Sequence, residues 1–219
     1  LYSTLLGSDN VSALTIASFV GRDLVSRRGS GTPIAAFVSE MNNLARSLRM
    51  TKTRFTAPHG LDAGNAVSTS CALDMALLGM YSMQNPAFCY IVSQASRRIG
   101  VQSQTKGTTM YDISNNNKMM STPGVDGIKA GSSRAAGQCL LLSATRNAIA
   151  RRSPQTGTEV IYPQRMIIAV LGTGERYSLA RQMLNTGWRV WENWQASGMD
   201  MKDPKEFVQL PVKSGTEKR

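Results

Sequence analysis

Histidine is almost missing from these 219 residues: His59 stands alone. A catalytic triad built on imidazole, or a multi-histidine metal site, therefore has little to work with. Cysteine is nearly as scarce. Cys71, Cys89 and Cys139 form an odd set without C-x-x-C spacing, which argues against a disulfide framework or a metal site and for three buried thiols. No apolar run is long enough to cross a bilayer. Acidic side chains are the other shortage, 14 Asp and Glu against 25 Lys and Arg, for a net charge of +11. Such a surface attracts polyanions, whether nucleic acid, anionic lipid headgroups or acidic cell-wall polymers. The densest basic pairs, Arg27-Arg28, Arg97-Arg98 and Arg151-Arg152, are isolated and carry no interleaved aromatics on which bases could stack. A solvated basic surface is expected, and no specific nucleic acid.

What is present suits a packed domain. Hydrophobic residues make up 42%, too many for disorder. The start, Leu1-Tyr2-Ser3-Thr4-Leu5-Leu6, has neither the basic opening nor the cleavage site of a signal peptide and reads as the inside of an apolar element. A first helix follows Ser8-Asp9-Asn10 and ends within Arg27–Gly31. A second begins at Thr32, a plausible cap, with Pro33 at its first position and Ile34, Phe37, Val38, Met41, Leu44, Ala45 and Leu48 on one face. Ser68-Thr69-Ser70 can cap a third helix running to about Met83, and Pro86 opens a short fourth ending near Ser93. Residues Arg97 to Met120 look like irregular strand and loop. Val125–Ser132, Gln138–Ala144 and Met166–Leu171 are expected strands, the last two buried. The long connection Arg146–Gln164 is a candidate accessory surface. A last helix, about Glu175 to Trp194, presents Leu179, Met183, Leu184, Trp188 and Trp191 as a cover for the sheet. Helices, strands and a covering helix give an α+β fold over residues 1–195, with 196–219 as a charged tail or linker.

Taken singly, the polar triplets are unremarkable. Ser8-Asp9-Asn10 is an ordinary helix start, and Lys129-Ala130-Gly131 an ordinary strand end. In this order, however, they resemble S-x-N and K-T-G, the second and third signature motifs of the serine penicillin-recognising enzymes. Phe55-Thr56-Ala57-Pro58-His59-Gly60-Leu61-Asp62 is similar to the P-H-G-L-D stretch of the D-Ala-D-Ala carboxypeptidases. Asp74-Met75-Ala76-Leu77-Leu78 and Asn85-Pro86-Ala87-Phe88 resemble the two helices that follow it. Residues Gly124 to Gly131 match G-V-D-G-I-K-T-G at every position but one. The resemblance runs from Leu1 to about Trp188. It implies a β-lactamase/transpeptidase-like domain, an antiparallel sheet flanked by helices, in a bacterial extracytoplasmic protein of the periplasm or cell surface. It implies no cofactor.

The resemblance also assigns roles. In the family a serine attacks the penultimate D-alanine carbonyl, with a lysine one helical turn on (S-x-x-K) as its base. Ser8 would relay a proton between that lysine and the leaving D-alanine. Asn10 would donate its amide to the substrate's peptide carbonyl. Lys129 would set positive charge near Ser8 and the substrate's terminal carboxylate. The strand just past it would pair with the substrate like an added strand. The Ser132 N–H would form half of an oxyanion hole, and Gly131 would leave the approach clear. Substrates and partners would be the stem peptide of peptidoglycan and β-lactam antibiotics. His59, Asp62 and Asp126 read as local scaffolding, and the three tryptophans as core or partner-facing. Three departures stand out. The chain is read as holding no S-x-x-K, so an upstream segment of the same polypeptide is expected to supply it. Ala130 replaces the threonine whose hydroxyl helps hold the substrate carboxylate. Leu73 stands where the family often has arginine. A catalytically silent wall-binding scaffold is therefore the rival reading, and a β-lactamase a more distant one.

Overall fold

A computed structural model describes residues 1–61, 67–103, 105, 107–152 and 157–198. Asp62 and the tail from 199 lie outside them. A single turn, α1 (Tyr2–Leu5), leads into α2 (Asn10–Arg28). Asp9 caps α2, its carboxylate accepting from Val11 N at 3.2 Å and Ser12 N at 3.1 Å. These bonds also hold its carboxyl below the usual carboxylate range, the Ser12 hydroxyl contributing most. Gly29, at φ 78°, ends the helix in the left-handed conformation that glycine tolerates.

Helix α3 (Pro33–Ser47) begins as its sequence predicts, with the Thr32 hydroxyl accepting from Ala35 N. Helix α4 (Ala72–Ser82) does not: Cys71 is its N-cap and makes no side-chain cap bond. Ser68 and Ser70 turn instead to the preceding segment, Ser68 accepting from Thr56 N and Ser70 meeting the Thr53 hydroxyl. Buried Asp74 completes that junction, accepting from Lys52 N and the Thr53 hydroxyl. A short α5 (Pro86–Val92) is capped by Asn85.

Strands β3 (Val125–Ser133), β4 (Gly137–Arg152) and β5 (Glu159–Thr173) form an antiparallel sheet in that order. Its alternation sorts two faces. Leu140, Leu142, Ile168 and Val170 pack on Ala180, Leu184 and Trp188 of α6 (Arg176–Ala196). Leu141 and Ile167 pack on the other side against Met83 and Val92, beside α4 and α5. Helix α4 comes close because Gly79 has no side chain: a Cβ there would stand 3.0 Å from the Ile167 methyl.

Three expectations need correction. The strand part of residues 97–120 is not irregular, for β1 (Ser96–Ser103) and β2 (Gly107–Ser114) form a regular antiparallel hairpin, register Ser96↔Ser114 to Ser103↔Gly107, and residues 115–120 are loop. Both its faces are largely exposed, so its few alternating apolar positions are outnumbered by polar ones in the sequence. The Arg146–Gln164 connection is no separate insertion either. The β4–β5 ladder runs on through it to Arg152↔Glu159, past a register shift between Arg146 and Ile149. Finally, the three cysteines are free thiols but only half-buried. No described helix is long and apolar enough to cross a membrane.

Candidate active site

Ser8 sits between α1 and α2 at φ 58°, a left-handed conformation uncommon for a residue with a side chain. Two features force the chain into it. Asp9 must stay extended to cap α2, and its own N–H donates back to Ser3 O at 3.0 Å. The resulting bend aims the Ser8 hydroxyl at β3. There the Lys129 ammonium donates to Ser8 Oγ and, at 2.7 Å, to its neighbour's carbonyl, Ala130 O. The Ser8 hydroxyl also reaches Ala130 O at 3.4 Å. Residues 121 positions apart thus share one hydrogen-bonded cluster.

Burial pushes the Lys129 ammonium down to about 8, and the positive charge of Arg176 adds to the effect. Arg176 was not singled out from sequence. It opens α6 and reaches across the strand ends, donating to Gly131 O at 2.6 Å and Cys139 O at 3.4 Å, with its guanidinium over the Tyr177 ring. A lone arginine after a strand carries no sequence signal, and only the packing of α6 on the sheet brings it here.

The other predicted residues fall around this cluster. Asn10 is the first residue of α2, half-buried, and its amide has no partner among the described residues. Gly131 and Ser132 are exposed along β3, and a Cβ on Gly131 would meet no protein atom within 4 Å. Ala130 differs. Its register partner is Leu140, so its side chain belongs to the α6 face, where it is 3% exposed within the core. Only its carbonyl faces Ser8 and Lys129.

His59 closes its own turn, Nδ1 accepting from Leu61 N at 3.1 Å. Asp126 pairs with Arg165 at 2.8 Å. Trp188 is core, while Trp191 lies tilted against the Trp194 ring and donates to Gln164. Leu73 is exposed on α4. A broad depression lined by Pro123, Gly124, Thr145, Arg146, Asn147 and Gln164 contains none of the predicted site residues. Among the described residues no group of three His, Cys, Asp or Glu side chains could hold a metal ion.

The reading that no S-x-x-K exists is also corrected. Ser103-Gln104-Thr105-Lys106 spells it, with its serine closing strand β1 rather than lying on a helix. Ser103 pairs with Gly107 there, whereas catalysis needs serine and lysine on one helical face, a turn apart.

A family model described as D-alanyl-D-alanine carboxypeptidase matches residues 1–153. The D-alanyl-D-alanine carboxypeptidase DacA of Escherichia coli is 29% identical over 189 residues, covering 84% of this chain and 40% of that protein. A Streptomyces D-alanyl-D-alanine carboxypeptidase is 30% identical over 129 residues, 56% of this chain and 44% of that one. The chain thus spans about two fifths of the length of these curated relatives. Among solved structures, a Streptomyces DD-transpeptidase superposes with a TM-score of 0.70 at 25% identity, over 86% of this chain and 66% of its own. A penicillin-binding protein of Listeria monocytogenes, solved with ampicillin bound, gives 0.58 at 26% identity, over 85% and 65%. The antiparallel sheet flanked by helices is therefore the penicillin-binding protein fold. With the family model spanning more than two thirds of the chain and the S-x-N and K-x-G stretches meeting in space, this protein belongs to the D-alanyl-D-alanine carboxypeptidase family.

Proposed function

We propose that these residues form the proton-relay and carboxylate-binding side of a serine D-Ala-D-Ala carboxypeptidase site. The single observation that carries this is the Lys129–Ser8 contact, with Arg176 beside it. Two cations and an exposed strand edge suit a peptide ending in a free carboxylate. The edge offers backbone pairing at Gly131 and Ser132, and the cations face the terminal charge. Ser8, bonded to a lysine that titrates near 8, can pass a proton to a leaving amine at modest cost. Asn10 supports the amide end of the same substrate. The nucleophile and its base would come from a helical S-x-x-K segment of the same polypeptide, outside these 219 residues. The full protein would trim stem peptides of peptidoglycan on the outer side of a bacterial cytoplasmic membrane and be acylated by penicillins.

The test is covalent labelling of the full-length protein by a fluorescent penicillin. Lys129→Ala should slow labelling by about a hundredfold, as expected when a half-buried charge facing a carboxylate is removed. Unchanged labelling by that variant would show the site misplaced. The sequence departure at Ala130 does not by itself favour the scaffold reading, since the side chain there lies in the core. Absence of any adduct in the wild type, with wall peptides still bound, would establish it instead.

A further inference from the structure

Between β2 and β3 stand three asparagines in a row, Asn115, Asn116 and Asn117. Two of them bond to the chain just before Ser8 and just before Lys129, without hydrogen-bonding to the two side chains themselves. Asn115 anchors the loop to the end of α5, its amide donating to Val92 O at 3.2 Å and Gln94 O at 3.0 Å. Asn117, buried, donates to Gly127 O at 3.2 Å, two residues before Lys129, and accepts from Met119 N. Asn116 reaches the other way. Its backbone N–H donates to Leu6 O at 3.0 Å, and its side-chain amide to Gly7 O at 2.9 Å, the carbonyl of the peptide that begins Ser8. From behind, the Tyr177 hydroxyl donates to Asn116 O at 3.0 Å and accepts from Lys118 N at 3.4 Å.

A non-glycine residue at φ 58° persists only where its surroundings over-determine it. Downstream of Ser8 that work falls to the Asp9 cap and the Asp9 N–H on Ser3 O. Upstream it falls to Asn116, which holds two successive carbonyls. We propose that Asn116, braced by Tyr177, is a positioning residue: it fixes the peptide before Ser8 so that the Ser8 hydroxyl stays on Lys129. This rests on the reading of Ser8 as the proton relay. The loop then does one job with two hands, Asn116 on the serine side and Asn117 on the lysine side. Because Tyr177 follows Arg176 on α6, the helix that supplies the second cation also braces the serine.

The experiment uses the full-length protein carrying Asn116→Ala or Tyr177→Phe, each alone and combined with Ser8→Ala. Tyr177→Phe keeps the ring beneath Arg176 and deletes only the hydroxyl. Release of D-alanine from a stem-peptide mimic should fall about tenfold in kcat for Asn116→Ala, the scale of one lost neutral hydrogen bond, with KM unchanged. Tyr177→Phe should lose less in the same parameter. With Ser8→Ala already present, neither should cost anything more, since both act through Ser8. Equal losses in both backgrounds would mean a general structural role and overturn the proposal. A second readout needs no turnover. Hydrogen exchange at the Asp9 amide should quicken about tenfold in Asn116→Ala, while the β4–β5 amides keep their protection. Exchange at Asp9 unchanged by the substitution would overturn the proposal even in an active enzyme. If the wild type neither releases D-alanine nor takes up penicillin, the functional reading fails and the exchange result alone judges the positioning.

Discussion

A lysine pushed down to about 8 from its ordinary 10.5 leaves a trace in stability as well as in chemistry. Below pH 8 folded and unfolded chains both hold the proton, and the cost of burying the charge is present in full. Between about pH 8 and 10.5 the unfolded chain still binds a proton that the folded chain has released, so stability rises with pH across that window. Removing the charge should therefore help most at low pH. Urea unfolding of Lys129→Met against wild type should show an advantage for the variant at pH 7 that narrows by pH 10, and a gap independent of pH would contradict this account. Penicillin labelling should decline above pH 8 as the charge is lost. Ala130 makes a second residue-scale case. A threonine here would not simply restore a hydroxyl beside the substrate, because the side chain lies 3% exposed on the α6 face with Leu140 as its register partner. Ala130→Thr should overpack that core at a cost of about 1–3 kcal/mol. A lower Tm with no gain in D-alanine release is the expected result. A gain confined to peptides with a free carboxylate would show that the hydroxyl reaches the substrate after all.

Elements here are held by details that propensity alone misjudges. Gly21 lies buried in the middle of α2, where alanine would be favoured by about 1 kcal/mol. Yet a Cβ on Gly21 would come 2.0 Å from Pro33 O, a backbone atom at the start of α3 that cannot swing aside. Sterics should win. Gly21→Ala is expected to lower the melting temperature by several degrees, following the usual cost of overpacking and the ~2–4 °C per kcal/mol of a chain this size. A rise in the thermal midpoint by circular dichroism would show that α2 and α3 can separate freely. The same scale explains which elements the sequence displayed. Helix α3 was legible because capping threonine, Pro33 and one apolar face agree. The β1–β2 hairpin was not, since a ribbon exposed on both faces needs no alternation. The β4–β5 extension was hidden by Pro163 and by charged residues, which read as loop although the ladder continues through them.

Across the whole molecule the excess of positive charge is spread rather than focused. Arg27 pairs with Asp23, Arg28 with Glu40 and Arg98 with Asp112, all largely exposed and each worth little to stability. The bond from Arg98 still holds the Asp112 carboxyl below its usual range. What concentrates is apolar burial, in one cluster between the sheet and α6, a second beneath α4 and α5 and a third joining the end of α3 to α4. The amino-acid order by itself determined the starts of α2, α3, α5 and α6, the buried strands and the two triplets at Ser8 and Lys129, because caps, turns and apolar periods act over a few residues. It could not place Arg176 beside Lys129, turn Ala130 into the core, or lead Asn116 to the carbonyl before Ser8. Those depend on a sheet register and on α6 packing across it, contacts between residues tens of positions apart that no local preference encodes.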